Sequence, residues 1–250
     1  MSLGPTCCSS RDFPFDRRAL LRSLLAAGSA AAVASLAPGA AWSSSGALTR
    51  EQRDQLAPDQ VLGMLLQGND RFRTGKMQSH DYLAQKRATA GGQYPAAAIL
   101  SCIDSRAPAE IILDTAIGDT FNARIAGNIA NDDVLGSLEF ACAAAGAKLI
   151  LVMGHTGCGA VKGAIDGVQL GHLTKLLGDI KPAVAATIYT GDRSSKNAAF
   201  VDAVAATNVR QTVKEIPARS SVLAGLQKEG KLRIVGSMYH LVGGRLEVLN

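Results

Sequence analysis

Two short stretches of this 250-residue chain bring together side chains that can do chemistry. Cys102 and Asp104 are two residues apart, so in an extended segment both point to one side, and Arg106 follows at the same interval. Further along, His155 follows Gly154, and Cys158 comes three residues later. Two thiols and one imidazole form a donor set that suits zinc. A catalytic zinc keeps three protein ligands and leaves its fourth position for water. If a helix begins at Gly157, Cys158 lies in its first turn, where the helix dipole favours a thiolate. Each residue also has a plainer reading. A lone cysteine is usually a small buried hydrophobe, His155 could be a hydrogen-bonded core histidine, Asp104 could cap a helix near Pro108, and Arg106 could be a surface cation. Taken together, the two clusters argue for a metal. A phosphate-loop reading of 154–162 fails, because Ala160 rather than Lys-[Ser/Thr] follows Gly159.

The clusters need elements to position them. The apolar runs 96–101 and 148–153 show no polar alternation, which suits strands buried on both faces of a parallel sheet. Cys102 directly follows the first run and His155 the second. Val61, Leu62, Leu65, Leu66 and Phe72 recur at helical spacing, with Pro58 and Asp59 as start signals, which predicts a helix over 58–72. The pattern continues with a helical turn at 108–113, a strand at 121–125, and a helix at 133–145 capped by Asp132. Helices follow at 157–165, 170–187, 198–216 and 220–227, then strands at 231–240 and 245–249 joined through Gly243-Gly244. This is an α/β fold: an open, mostly parallel β-sheet flanked by helices on both faces. Such sheets bind ligands outside the carboxyl ends of their strands, where both clusters fall. Cys142, among Ala141, Ala143 and Ala144, reads as a buried free thiol.

Composition sets the bounds. With 47% apolar and 19% charged residues the chain is not disordered, collagen-like or a coiled coil, and 4% aromatics require an aliphatic core. Residues 1–41 hold Arg11, Arg17, Arg18 and Arg22 against Asp12 and Asp16, so of the net +5 they carry +2 and the rest +3. That balance gives no support for a nucleic-acid partner. Five cysteines, of which Cys7 and Cys8 precede the domain, are too few for a disulfide scaffold. A basic region, an Ala- and Leu-rich run over 24–37 and the small-residue exit Pro38-Gly39-Ala40-Ala41 read as a signal peptide over 1–41. The run is too short to span a bilayer, so no membrane span is expected after cleavage. Arg17-Arg18 before Leu20-Leu21 resembles a twin-arginine signal, whose route exports folded proteins. The expected location is the periplasm, with the metal loaded before export. Residues 42–51 read as a Ser-rich linker, and 52–250 as the zinc domain.

The stretches Ser101-Cys102-Ile103-Asp104-Ser105-Arg106-Ala107-Pro108-Ala109-Glu110, Gly118-Asp119-Thr120-Phe121-Asn122-Ala123-Arg124-Ile125-Ala126-Gly127-Asn128, Gly136-Ser137-Leu138-Glu139-Phe140 and Gly154-His155-Thr156-Gly157-Cys158-Gly159-Ala160-Val161 resemble those of β-class carbonic anhydrases. The resemblance runs from about Pro58, through Gly68-Asn69-Asp70-Arg71-Phe72, to the C-terminus. It implies Cys102, His155 and Cys158 as ligands of one zinc per chain, Asp104 and Arg106 as the dyad beside it, and Gln93 as a hydrogen-bond donor to substrate; Asp104 either pairs with Arg106 in a charge-assisted contact that leaves the fourth zinc position open, or closes the site as a fourth ligand. The implied reaction is reversible hydration of carbon dioxide to bicarbonate and a proton. The implied substrate pocket is lined by Phe121, Ala126 and aliphatic groups of a partner chain. The assembly would be a homodimer or homotetramer with N-terminal helices over the partner. Phe140 stands where many members have Tyr. Ile99 replaces a Trp of an inhibitory bicarbonate pocket whose Arg124 is present, so that regulatory site is not expected. His80 and His172 are candidate proton shuttles. The rival readings are a hydrolase of carbon disulfide or carbonyl sulfide on the same scaffold, and a non-catalytic zinc protein. Arg106 argues against the latter by giving Asp104 another partner, and a redox role lacks a Cys-x-x-Cys.

Overall fold

The computed structural model describes residues 47–249. The expected signal peptide and residues 42–46 of the expected linker lie outside the described residues. Three helices lead in: α1 (Arg50–Gln55), α2 (Pro58–Arg73) and α3 (Tyr82–Thr89). α1 starts inside the stretch read as linker, because Thr49 and Gln52 form a capping box: each side chain accepts from the other's backbone N–H. α3 was not expected either; the Asp81 carboxylate caps it at Ala84 N–H.

Strand β1 (Ala97–Ser101) is followed by the short α4 (Ala109–Ile112) and strand β2 (Thr120–Arg124). A 3-10 turn (Ala126–Asn128) leads into α5 (Asp132–Glu139), which ends in a π-turn (Phe140–Ala144), and then into β3 (Leu149–His155). Next come α6 (Gly159–Asp166), α7 (Gly171–Ala186), α8 (Ala198–Arg219), α9 (Ser221–Lys228), and strands β4 (Arg233–Tyr239) and β5 (Leu246–Leu249). The helix expected from 133 begins one residue earlier and is capped by Asn131, whose side chain accepts from Val134 N–H, not by Asp132.

The sheet order is β2-β1-β3-β4-β5, parallel except for β5, which runs antiparallel to β4. β1 and β3 are buried along their whole length, as their unbroken apolar runs demand. Their side chains alternate between two cores. Ala98, Leu100, Ile150 and Val152 pack with Leu138, Phe200, Val204 and Val209, while Ala97, Ile99, Leu149 and Leu151 pack with Val61, Leu65, Ile112 and Leu113. After β1 the chain adds β2 on one side, then returns to add β3 on the other. The order therefore reverses between β1 and β3, and a crevice opens at their carboxyl ends.

α8 lies unusually close to this end of the sheet. A Cβ on Gly154 would come 2.5 Å from Val209 Cγ2, and one on Gly236 2.8 Å from Val209 Cγ1. Two glycines on adjacent strands thus make the floor on which Val209 rests, which brings the polar side chains of α8 within reach of the loops beyond β2 and β3.

Candidate metal centre

Cys102 is the first residue after β1 and His155 the last of β3, 4% and 1% exposed. Between His155 and Cys158 the chain turns at Gly157, whose φ of +64° is open to glycine at no steric cost. That turn delays α6, so Cys158 is its N-cap residue and does not sit in its first turn as expected. The two sulfurs lie 4.0 Å apart, and both sulfurs and an imidazole nitrogen fall within 4.8 Å of one another. His155 Nδ1 lies 3.0 Å from the Thr156 carbonyl oxygen, which places the proton on Nδ1 and leaves Nε2 as a lone pair. Nε2 is fully buried and has no hydrogen-bond partner among the described residues. A buried acceptor left unpaired costs free energy. A metal beside the two sulfurs satisfies it, and the donor set is that of zinc.

Protons are shared among the three side chains. The hydrogen bond from Cys158 pulls the Cys102 pKa down to about 4, assisted by His155 and by Gly127 N–H at 3.4 Å. Cys158 moves the other way, because it keeps the proton that it donates to Cys102 and is buried. Helix-dipole stabilisation, expected to make Cys158 the readier thiolate, is outweighed. Burial disfavours charge on His155, but the adjacent Cys102 thiolate more than reverses this and raises its pKa. Metal uptake must displace these protons, so affinity weakens as pH falls.

Asp104 does not join the cluster. Arg106 Nε donates to its Oδ1 at 2.9 Å and Nη2 to its Oδ2 at 2.8 Å, and Arg106 N–H adds a third contact at 2.9 Å. These bonds hold the carboxyl well below its ordinary range. Oδ2 lies 3.8 Å from His155 Nε2, beside the cluster but turned to Arg106. The arrangement is the open one. The helix-cap reading also falls away, since α4 is preceded by Pro108 at its N-cap. Arg124 holds the same segment from below, donating to the Cys102 carbonyl at 3.0 Å and the Asp104 carbonyl at 2.6 Å.

Ala126 adjoins the cluster through its neighbour Gly127. Gln93 and Phe121 do not: exposed Gln93 lines a cleft with Thr89, Ile117 and Gly118, and Phe121 on the edge strand β2 meets Phe140 edge-on at 6.0 Å. His80 is not a free shuttle. Its ring is fixed between Asp114 Oδ1 at 3.0 Å and Gln85 Nε2 at 3.2 Å. His172 is exposed at the start of α7. Cys142 is the expected buried thiol, its pKa pushed up to about 12 by burial. Sequence reading missed the supporting contacts. Thr156 N–H donates to the Tyr239 carbonyl at 3.0 Å and its Oγ1 accepts from Leu241 N–H at 3.0 Å. Asp202 of α8 accepts from Gly157 N–H at 2.8 Å. Single polar residues in a long helix carry no spacing signal that would have singled them out.

Fold and donor set define a zinc enzyme of the open α/β type. A family model described as carbonic anhydrase matches residues 97–246. The chain is 39% identical over 183 residues to carbonic anhydrase 2 of Mycobacterium tuberculosis, covering 72% of this chain and 87% of the relative. It is 36% identical over 186 residues to a carbonic anhydrase of Mycolicibacterium smegmatis, covering 74% and 89%. Among solved structures it superposes on the β-carbonic anhydrase CafA of Aspergillus fumigatus with a TM-score of 0.62 at 26% identity, over 76% of this chain and 90% of that one. On a tetrameric β-carbonic anhydrase of Sordaria macrospora the TM-score is 0.57 at 28% identity, over 64% and 83%. The chain belongs to the β-class carbonic anhydrase family and is a zinc lyase that interconverts carbon dioxide and bicarbonate.

Elemental analysis checks the cluster. The purified protein is expected to carry about one zinc per chain, and Cys102→Ser and His155→Ala to lose most of it. Full metal content in both variants would exclude these donors.

Proposed function

We propose that Cys102, His155 and Cys158 hold the zinc and that Asp104, held by Arg106, orients the nucleophile for attack on carbon dioxide. The observation that carries this is the buried, unpartnered Nε2 of His155 facing two sulfurs, with a carboxylate alongside that is engaged elsewhere. Zinc held there would lower the pKa of a water to about 7 and so supply hydroxide near neutral pH. Asp104 stays ionised, because its pKa is depressed, and can only accept; it therefore selects one orientation of the nucleophile's O–H and leaves a lone pair for attack. Gly127 N–H offsets part of the charge on Cys102. Ala126 forms an apolar wall for a substrate without charge.

The site is completed by a second copy of the chain. Gln93, the donor to a substrate oxygen, and Phe121, an apolar wall, stand away from the cluster in their own chain. Phe121 lies on an edge strand of the sheet, beside Phe140, whose ring is 58% exposed. The tetrameric state of the Sordaria protein supports this reading. Export through the twin-arginine route to the periplasm rests on Arg17-Arg18 and the apolar run after them. No helix among the described residues is long and apolar enough to cross a membrane.

Three outcomes are expected. Arg106→Ala keeps its zinc but loses nearly all hydration activity in stopped-flow assays, and Arg106→Lys is badly impaired because an ammonium cannot make the planar two-point contact; near-wild-type activity for Arg106→Ala would falsify the dyad. Mixed assembly of Gln93→Ala with Cys102→Ser chains restores about a quarter of wild-type activity, since random pairing gives half heterodimers with one complete site each. No recovery on mixing would place Gln93 in its own chain's site. Replacing Arg17 and Arg18 by Lys strands the precursor in the cytoplasm, whereas unchanged delivery in cell fractionation points to the general secretory route.

A further inference from the structure

α8 reaches the loop that bears His155 and Cys158 and the turn whose Gly127 N–H faces Cys102. Asp202 accepts the Gly157 N–H at 2.8 Å, and Gly157 lies between His155 and Cys158. Six residues and about 9 Å further along the helix, buried Asn208 donates through Nδ2 to the Gly127 carbonyl at 2.7 Å. The N–H of that same Gly127 points at Cys102 Sγ at 3.4 Å. Gly127 and Gly157 have φ of +71° and +64°. Each loop therefore turns on the residue type with the widest conformational freedom, and a hydrogen bond from outside the loop is what narrows it.

The placement of Asp202 is informative in its own right. A carboxylate behind a loop that ends in a thiolate ligand raises the local negative charge, so electrostatics alone would disfavour it there. Asn208 is a neutral amide 3% exposed, used at Nδ2 on a carbonyl that no strand or helix ladder satisfies. The glycine floor beneath Val209 lets α8 come close enough for both contacts.

We propose that Asp202 and Asn208 are positioning residues for the metal, which make α8 a clamp fixing the loop of His155 and Cys158 against the loop that supports Cys102. The clamp acts on zinc affinity by holding the donors at their bound spacing before the ion arrives, so the ordering cost is met in folding and not in binding. It rests on the assignment of Cys102, His155 and Cys158 as zinc ligands.

The test measures zinc affinity by competition with a chelator, and the sulfur-to-metal charge-transfer band of the cobalt-substituted protein. Asp202→Ala and Asn208→Ala are expected to weaken zinc about 10–100-fold and to shift the cobalt band. Asp202→Asn retains an oxygen that accepts the Gly157 N–H, and is expected to stay within about threefold of wild type. Asn208→Asp loses the donor and is expected to behave like the alanine variant. These near-isosteric changes carry the test if an alanine variant does not fold. Zinc affinity within about twofold of wild type and an unchanged cobalt band in the folded Asp202→Ala and Asn208→Ala proteins would overturn the proposal. So would a loss confined to the urea-unfolding midpoint of the metal-free forms, which marks a purely structural role, or an Asp202→Asn protein as weak as Asp202→Ala. Wild-type protein that binds no zinc fails the ligand assignment instead, and is read separately.

Discussion

Two sulfurs that must both be anionic to hold a metal stand 4.0 Å apart in a buried crevice. At an effective dielectric of about 20, unit charges at that distance repel by about 4 kcal/mol. Without metal the pair relieves this by sharing one proton, with Cys102 as the thiolate and Cys158 as the acid. With zinc the same spacing becomes an asset, because the ion replaces the proton and answers the lone pair of His155 as well. The surrounding donors fit that demand. Gly127 N–H faces Cys102, and Asp104, which would add a further negative charge, is paired with Arg106.

The sheet makes such a cluster possible because its strand order reverses between β1 and β3. One reversal places two adjacent carboxyl ends with their following loops on diverging paths, and each loop supplies part of the donor set. The parallel register pairs Ser101 with Met153, so Cys102 and His155 emerge at nearly the same height. A one-residue slip would turn every side chain of β1 to the opposite core.

The parts legible in the sequence were those with a period or a motif. The unbroken runs before Cys102 and His155 announced buried parallel strands, and the donor residues after them announced the metal. Cap chemistry is less legible: Asn131 rather than Asp132 caps α5, and the Thr49–Gln52 box that starts α1 lies at the end of a stretch whose serines suggest a linker. The helix after His155 starts two residues later than its sequence suggests, because nothing in a glycine's identity tells whether it opens a helix or delays one; the φ of Gly157 decides that. Gln93 and Phe121 were assigned by resemblance, and the distance of both from the cluster in their own chain is a tertiary fact that spacing cannot report. Asp202 and Asn208 were invisible for the same reason, since their partners lie on loops far away in the chain.

Thr156 links the metal site to β4 and the turn that follows it. Its carbonyl sets the tautomer of His155, its N–H is held by Tyr239 of β4, and its hydroxyl is held by Leu241 just beyond that strand. The imidazole is therefore aimed correctly only once β4 has docked beside β3. β4 follows β1 and β3 in the chain, so a nascent chain with those two already paired still lacks a finished third ligand. Metal capture is in this sense a checkpoint on completion: a chain truncated before β4, or one with that strand out of register, would be sorted by its inability to retain zinc.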